Sequence, residues 1–203
     1  MIIQVFETGV QTKQIDHIIQ CIRNGGIVIY PTDTVYGIGT GFSNRRALDR
    51  IAQLKGKRKD DLEFTLLCSD LSHLSTFCKP ISNTVFRFIK EHTPGPFTFI
   101  LEANNEVPKM FQRKKKQIGL RIPNHALLRQ IIEVLGEPML NTSIVDDPNS
   151  EYVTDPEYIN EKYSKKVDLI IDGGIGLNAY STIIDCTKEP FEILRQGLGI
   201  VEL

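Results

Sequence analysis

Residues 27–41 read Ile-Val-Ile-Tyr-Pro-Thr-Asp-Thr-Val-Tyr-Gly-Ile-Gly-Thr-Gly, and they constrain the fold more than any other part of the chain. Ile27, Val28, Ile29 and Tyr30 form a β-favouring run too apolar for an exposed edge, so a short buried strand is expected. Pro31 ends it, because proline has no N–H to give to a strand ladder. The strand then opens onto a polar loop: Thr32, Asp33, Thr34 and Tyr36 supply two hydroxyls, a carboxylate and a phenol within five residues. Gly37, Gly39 and Gly41 follow, and let other groups approach the backbone closely. Ligand sites in open α/β sheets lie at such strand ends.

The Gly37-Ile38-Gly39 segment is not a dinucleotide fingerprint. That motif needs a third glycine three residues after the second, where this chain has Phe42. A dehydrogenase of that type is excluded. On these residues alone, a polar turn between a strand and a helix remains the alternative.

With 203 residues, 41% hydrophobic and 24% charged, the chain can bury a sizeable core and is expected to form one domain over residues 1–203. No apolar run approaches the ~20 residues of a membrane helix. Residues 1–6 lack the basic and long apolar regions of a signal peptide and read as a first strand, so a cytoplasmic protein with no membrane partner is expected. Cys21, Cys68, Cys78 and Cys186 show no Cys-x-x-Cys spacing and are expected to be reduced thiols. His17, His73, His92 and His125 form no pair at zinc-ligand spacing, so no protein-bound metal is expected. The net charge of −1 argues against a globally basic nucleic-acid binder. Two basic clusters nevertheless stand out: Lys55, Lys57, Arg58 and Lys59 beside the polar loop's following helix, and Arg113 to Lys116, which reads as a solvated loop.

Taken in order, Ile15, Ile18, Ile19 and Ile22 recur at helical spacing and predict a helix ending near Asn24-Gly25. Ala47, Leu48, Ile51 and Leu54 predict a second helix capped by Ser43. Strands are expected at 64–68, 97–101 and 117–122, and helical patches at 71–77 and 85–91. Asn124 is placed to cap a helix through Leu127, Leu128, Ile131, Ile132 and Leu135. Residues 138–143 enter a further strand, and 146–153 form a loop that would serve as a lid. Thr154-Asp155-Pro156-Glu157 has capping-box spacing and predicts a helix toward Tyr163. Short strands at 168–171, 182–186 and 191–195 close the chain as hairpins. Strands alternating with helices early and gathering late give one mixed sheet with helices packed over it.

The ordered motifs resemble one known family. Residues 31–37 (Pro-Thr-Asp-Thr-Val-Tyr-Gly) followed by Leu54-Lys55-Gly56-Lys57 resemble the signature of the YrdC/YciO family. The likeness continues through 93–101, 119–123, 138–143 and 181–185, and residues 64–68 and 136–140 look most like the YciO branch. It implies an α/β fold, a YrdC-like single domain with a twisted mixed sheet, packed helices and a concave basic cavity. Because the chain stops eight residues after Arg195, no C-terminal extension domain is expected.

The resemblance also implies an L-threonylcarbamoyl-AMP synthase. Such an enzyme joins L-threonine, bicarbonate and ATP, carried with Mg²⁺ on its phosphates, for modification of adenosine 37 in tRNA, alongside partner proteins of that modification. Thr34, Arg121, Asn141 and Ser181 match amino-acid-binding positions; Lys55, Ser143 and Arg195 match positions that meet ATP or its phosphates, and Lys57 and Arg58 share the next basic position. No residue is assigned as catalytic. Three departures bear on activity: Lys57 stands where arginine is expected with Arg58 one step on, Val145 replaces an asparagine, and Cys68 replaces a common histidine. Two further readings stay open, a repurposed nucleotide-binding relative and a double-stranded RNA or tRNA binder using the basic clusters without sequence specificity.

Overall fold

A computed structural model describes residues 1–5, 12–58, 62–112, 116–144 and 154–202. The run that begins at Ile27 joins two cores within it. Ile27 and Ile29 pack on one side of the sheet, Val28 and Tyr30 on the other, and all four are buried. Side chains alternate across a strand, so a strand covered on both faces must be apolar throughout.

Among the described residues, ten strands form one mixed sheet. They are β1 (Ile2–Gln4), β2 (Val28–Tyr30), β3 (Gly37–Gly41), β4 (Thr65–Leu67), β5 (Phe97–Glu102), β6 (Gln117–Arg121), β7 (Met139–Ser143), β8 (Leu169–Asp172), β9 (Thr182–Asp185) and β10 (Glu192–Arg195). Their spatial order is β1-β8-β2-β3-β7-β4-β6-β5-β9-β10. The β1/β8, β2/β8, β4/β6 and β5/β9 pairs are parallel and the remaining neighbours antiparallel. The helices are α1 (Thr12–Arg23), α2 (Arg45–Leu54), α3 (Leu71–Ser75), α4 (Asn83–Glu91), α5 (Ala126–Leu135) and α6 (Pro156–Tyr163). No helix among the described residues is long and apolar enough to cross a membrane.

Helices α1 and α5 cover the Val28 and Tyr30 face with Ile15, Ile18, Ile19 and Ile22 from one and Leu127, Leu128, Ile131, Ile132 and Leu135 from the other. The opposite face packs Leu48 and Ile51 of α2 and Val85 and Ile89 of α4 against Ile29, Leu66, Phe99, Leu120 and Leu140. Each such side chain contributes ~1.5–3 kcal/mol on full burial. Alternation puts Thr65, Thr98, Arg121 and Asn141 on the α1/α5 face, beside Leu67 and Met139. That face therefore turns from apolar to polar along the sheet, and the cavity described below opens where it turns.

Five expectations need correction. The glycine run after the polar loop is itself a strand, β3, antiparallel to β2 with Tyr30 opposite Gly37; with glycine at three of its five positions it carried no alternating hydrophobic signal. Ser43 does not cap α2, because its hydroxyl and amide both bond the Glu137 carboxylate, and Asn44 at the cap position turns its amide to the Ile22 carbonyl. His125, not Asn124, caps α5: its Nδ1 accepts from the Leu128 amide at 3.4 Å. Asp155 accepts from the Glu157 amide in place of the Thr154 box, while the helix itself runs to Tyr163 as expected. The late strands also divide: β9 and β10 form a hairpin, but β8 lies between β1 and β2 at the other end of the sheet. The candidate lid at 146–153 lies outside the described residues.

Tyr30 lies over both Gly37 and Gly39, and β7 closes in on them from the other side. A Cβ on Gly37 would meet the Tyr30 ring at 2.7 Å and run into the Asn141 side-chain oxygen; a Cβ on Gly39 would meet the Tyr30 hydroxyl at 2.6 Å and run into the Leu140 carbonyl. Gly39→Ala is therefore expected to destabilise the protein by about 1–3 kcal/mol through overpacking, read as a lowered urea midpoint with unchanged slope.

Candidate functional site

The polar face encloses a cavity of about 450 Å³. Seven neighbouring strands, β3 through β10 in spatial order, all contribute to its wall. Laid flat they would span six spacings, or roughly 29 Å at about 4.8 Å each; a sheet bent around the cavity brings them together. This is the concave cavity implied by the motifs, and Lys57, Arg121 and Arg195 give it cations.

Arg121 ends β6 with only 4% of its surface exposed. Its Nη2 lies 2.6 Å from Asp33 Oδ1, and its Nη1 donates to Thr34 Oγ1 at 3.0 Å. Pro31 stops β2, and the loop that follows swings Asp33 and Thr34 over the end of β6. Burial lowers the Arg121 pKa, opposed by the Asp33 charge. The ion pair uses one prong only: Arg121 Nε and Asp33 Oδ2 are buried without hydrogen-bond partners.

Asn141 stands on β7, where Tyr30 donates its hydroxyl to Asn141 Oδ1 at 2.9 Å. The amide nitrogen is thereby the end left for other partners. Burial raises the Tyr30 phenol pKa far above its ordinary value, so it stays a neutral donor. Tyr36 fixes the far side of the same loop, donating to the Gly174 carbonyl and accepting from the Gly173 amide, with its phenol pushed up to about 12 by burial.

Ser181, just before β9, is 7% exposed and shares a 2.9 Å hydroxyl contact with Thr98. Arg195 at the end of β10 donates Nε and Nη2 to the Ser181 carbonyl and lies 5.0 Å over the Tyr180 ring. Two of its nitrogens thus brace the cavity wall.

The structure brings together Thr34, Arg121, Asn141, Ser181, Lys57, Ser143 and Arg195 in one cavity wall. Lys55 is placed differently, with its ammonium donating to the Ser143 carbonyl at 2.7 Å and so bracing the end of β7. Arg58 is exposed and outside the wall, so Lys57 is the member of the pair that faces the cavity. Val145, Lys59, Arg113, Lys114 and Lys115 lie outside the described residues. Among the described residues, no group of three or more His, Cys, Asp or Glu could hold a metal ion. Cys68 is buried in the core, its thiol pKa raised by desolvation.

Sequence reasoning put Thr32 and Asp33 in the polar loop at the strand end without giving either a role, and passed over Thr98 as a site residue. Thr98 carried a usable signal, a hydroxyl between Phe97 and Phe99 in a strand that is otherwise apolar up to its last residue, Glu102. Asp33 carried a weaker one, a carboxylate with no basic residue near it in sequence; its partner is 88 residues away.

Residues 20–197 match the Sua5/YciO/YrdC family model, described as telomere recombination. The chain belongs to the Sua5/YciO/YrdC family. It is 40% identical over 194 residues to YciO of Escherichia coli strain K12, covering 95% of this chain and 93% of that one. The crystal structure of E. coli YciO superposes with a TM-score of 0.91 over 100% of this chain and 98% of that one, at 38% identity. A threonylcarbamoyl-AMP synthase of Pyrococcus abyssi is 30% identical over 181 residues, covering 87% of this chain and 52% of the relative. The structure of P. abyssi Sua5 complexed with L-threonine gives a TM-score of 0.87 at 29% identity, over 97% of this chain and 57% of that one. Some Sua5/YciO/YrdC proteins are therefore named threonylcarbamoyl-AMP synthases, while the 40% match falls in the YciO branch, as the motifs at 64–68 and 136–140 led one to expect.

Removing one partner of a buried ion pair strands the other charge. Asp33→Ala is expected to destabilise the protein by about 3–5 kcal/mol, and pairing it with Arg121→Met should restore part of that loss. Chemical denaturation of the two single variants and the double variant checks both statements.

Proposed function

We propose that the cavity binds L-threonine and ATP and forms L-threonylcarbamoyl-AMP. The observation that carries the reading is the buried Arg121 guanidinium in the cavity wall, with Thr34, Asn141 and Ser181 gathered around the same space. A guanidinium is shaped to hold a carboxylate, and hydroxyls and an amide complete a seat for a small polar amino acid. The threonylcarbamoyl-AMP synthase of P. abyssi and the L-threonine bound in P. abyssi Sua5 give the same ligand class for the family.

In this reading threonine's amine joins bicarbonate as a carbamate with loss of water. A carbamate oxygen then attacks the α-phosphorus of ATP, and pyrophosphate leaves with its charge on Mg²⁺ and nearby cations. Among the described residues, Lys57 is the lysine that lines the cavity, and it is assigned to the phosphates; Lys55 acts on them through Ser143, whose carbonyl it holds. No covalent nucleophile is required, so positioning and electrostatics supply the rate. Use of the product on tRNA adenosine 37, and any RNA contact, belongs to the same proposal.

Purified protein with ATP, Mg²⁺, L-threonine and bicarbonate tests it. Pyrophosphate and the adenylate are expected to appear together and only with threonine. One charged hydrogen bond is worth ~1.5–3 kcal/mol, so Lys57→Ala should slow product formation about tenfold to a hundredfold. Saturable ATP binding without threonine-dependent product would move the assignment to a nucleotide-binding relative of other activity; salt-sensitive RNA binding without ATP binding would move it to the RNA reading.

A further inference from the structure

The hydroxyls of Thr32 and Thr34 lie 3.0 Å apart in the cavity wall and carry two protons between them. Their neighbours fix where those protons go. The Thr34 amide donates to Thr32 Oγ1 at 2.9 Å, and Arg121 Nη1 donates to Thr34 Oγ1 at 3.0 Å, so both oxygens already accept. Thr32 Oγ1 in turn donates to the Val35 carbonyl at 2.9 Å. That uses the single Thr32 proton, and the proton shared between the hydroxyls has to come from Thr34. A hydroxyl has one proton and two lone pairs. Thr34, 2% exposed, has given its proton to Thr32 and one lone pair to Arg121, which leaves one lone pair for anything in the cavity.

We propose that Thr32 is a positioning residue that locks Thr34 as an acceptor, so that the ligand group seated on Thr34 is a hydrogen-bond donor. A hydroxyl or an ammonium fits; a carboxylate or phosphate oxygen there would set lone pair against lone pair in a buried place. The carboxylate of the ligand consequently sits away from Thr34. This rests on the amino-acid reading of the cavity given above and adds the polarity of one seat within it.

Calorimetric titration of the full chain with three probes tests the proposal. The probes are L-threonine, 2-amino-3-fluorobutanoate, which lacks the hydroxyl proton, and 3-hydroxybutanoate, which lacks the ammonium and puts no donor in its place. In the unaltered protein the probe missing the donor that meets Thr34 should bind about tenfold more weakly than L-threonine. Thr32→Ala frees the Thr34 proton to turn toward the ligand, and should shrink that gap to about threefold or less; Thr32→Ser keeps the hydroxyl and should keep the gap. A purely structural role for Thr32 would weaken all probes by one factor and leave the ratio unchanged, which would overturn the proposal, as would the absence of any gap in the unaltered protein. Binding of none of the probes defeats the amino-acid reading and the proposal together. Gaps that behave as stated in a protein that makes no adenylate uphold the proposal and remove the synthase reading.

Discussion

Arg121 and Asp33 meet 2.6 Å apart with side chains 5% and 12% exposed, and the rest of the site hangs on that contact. Taking a charge out of water costs several kcal/mol per ion even after relaxation. The loop after β2 must therefore lie over the end of β6, or each charge is left uncompensated. Once it lies there, Thr34 falls on the second guanidinium nitrogen, Thr32 falls on Thr34, and the Val35 carbonyl is satisfied by Thr32. A contact between residues far apart in sequence thus sets the polarity of several groups close together in space.

The cavity exists because two helices cover only part of one sheet face. Helices α1 and α5 bury Val28, Tyr30, Met139 and Leu169 and stop there. Beyond them the same face carries Thr65, Thr98, Arg121 and Asn141, none of which an apolar helix could cover without stranding their hydrogen bonds. Tyr30 belongs to both regions: its ring fills the α1/α5 core across Gly37 and Gly39, and its hydroxyl orients Asn141. The glycines of the founding stretch thereby serve packing, by leaving a slot for a ring, and through it the site.

Much of this was legible in the sequence, for a physical reason in each case. The isoleucines of α1, the leucines of α5 and the apolar runs of β2, β5 and β6 carry their own periodicity, so they can be read locally. The ordered motifs resembling the YrdC/YciO family located Thr34, Arg121, Asn141 and Ser181, and the structure gathers them in one wall. What could not be read depends on partners distant in the chain. Strand β3 is held by Tyr30 and β7 and has no hydrophobic pattern of its own. Ser43 is diverted from capping by Glu137, 94 residues away, and Lys55 is turned onto the Ser143 carbonyl, 88 residues away. Asp33 stood in the motif in plain view, but only the fold brings Arg121 to it.

A crystal structure of the protein soaked with L-threonine tests the central claim most directly. The account predicts the amino acid in the cavity with its carboxylate within hydrogen-bond reach of Arg121, and Asp33 still paired to that guanidinium. An amino acid bound elsewhere, or an Arg121 side chain that leaves Asp33 and turns away from the cavity, would contradict it.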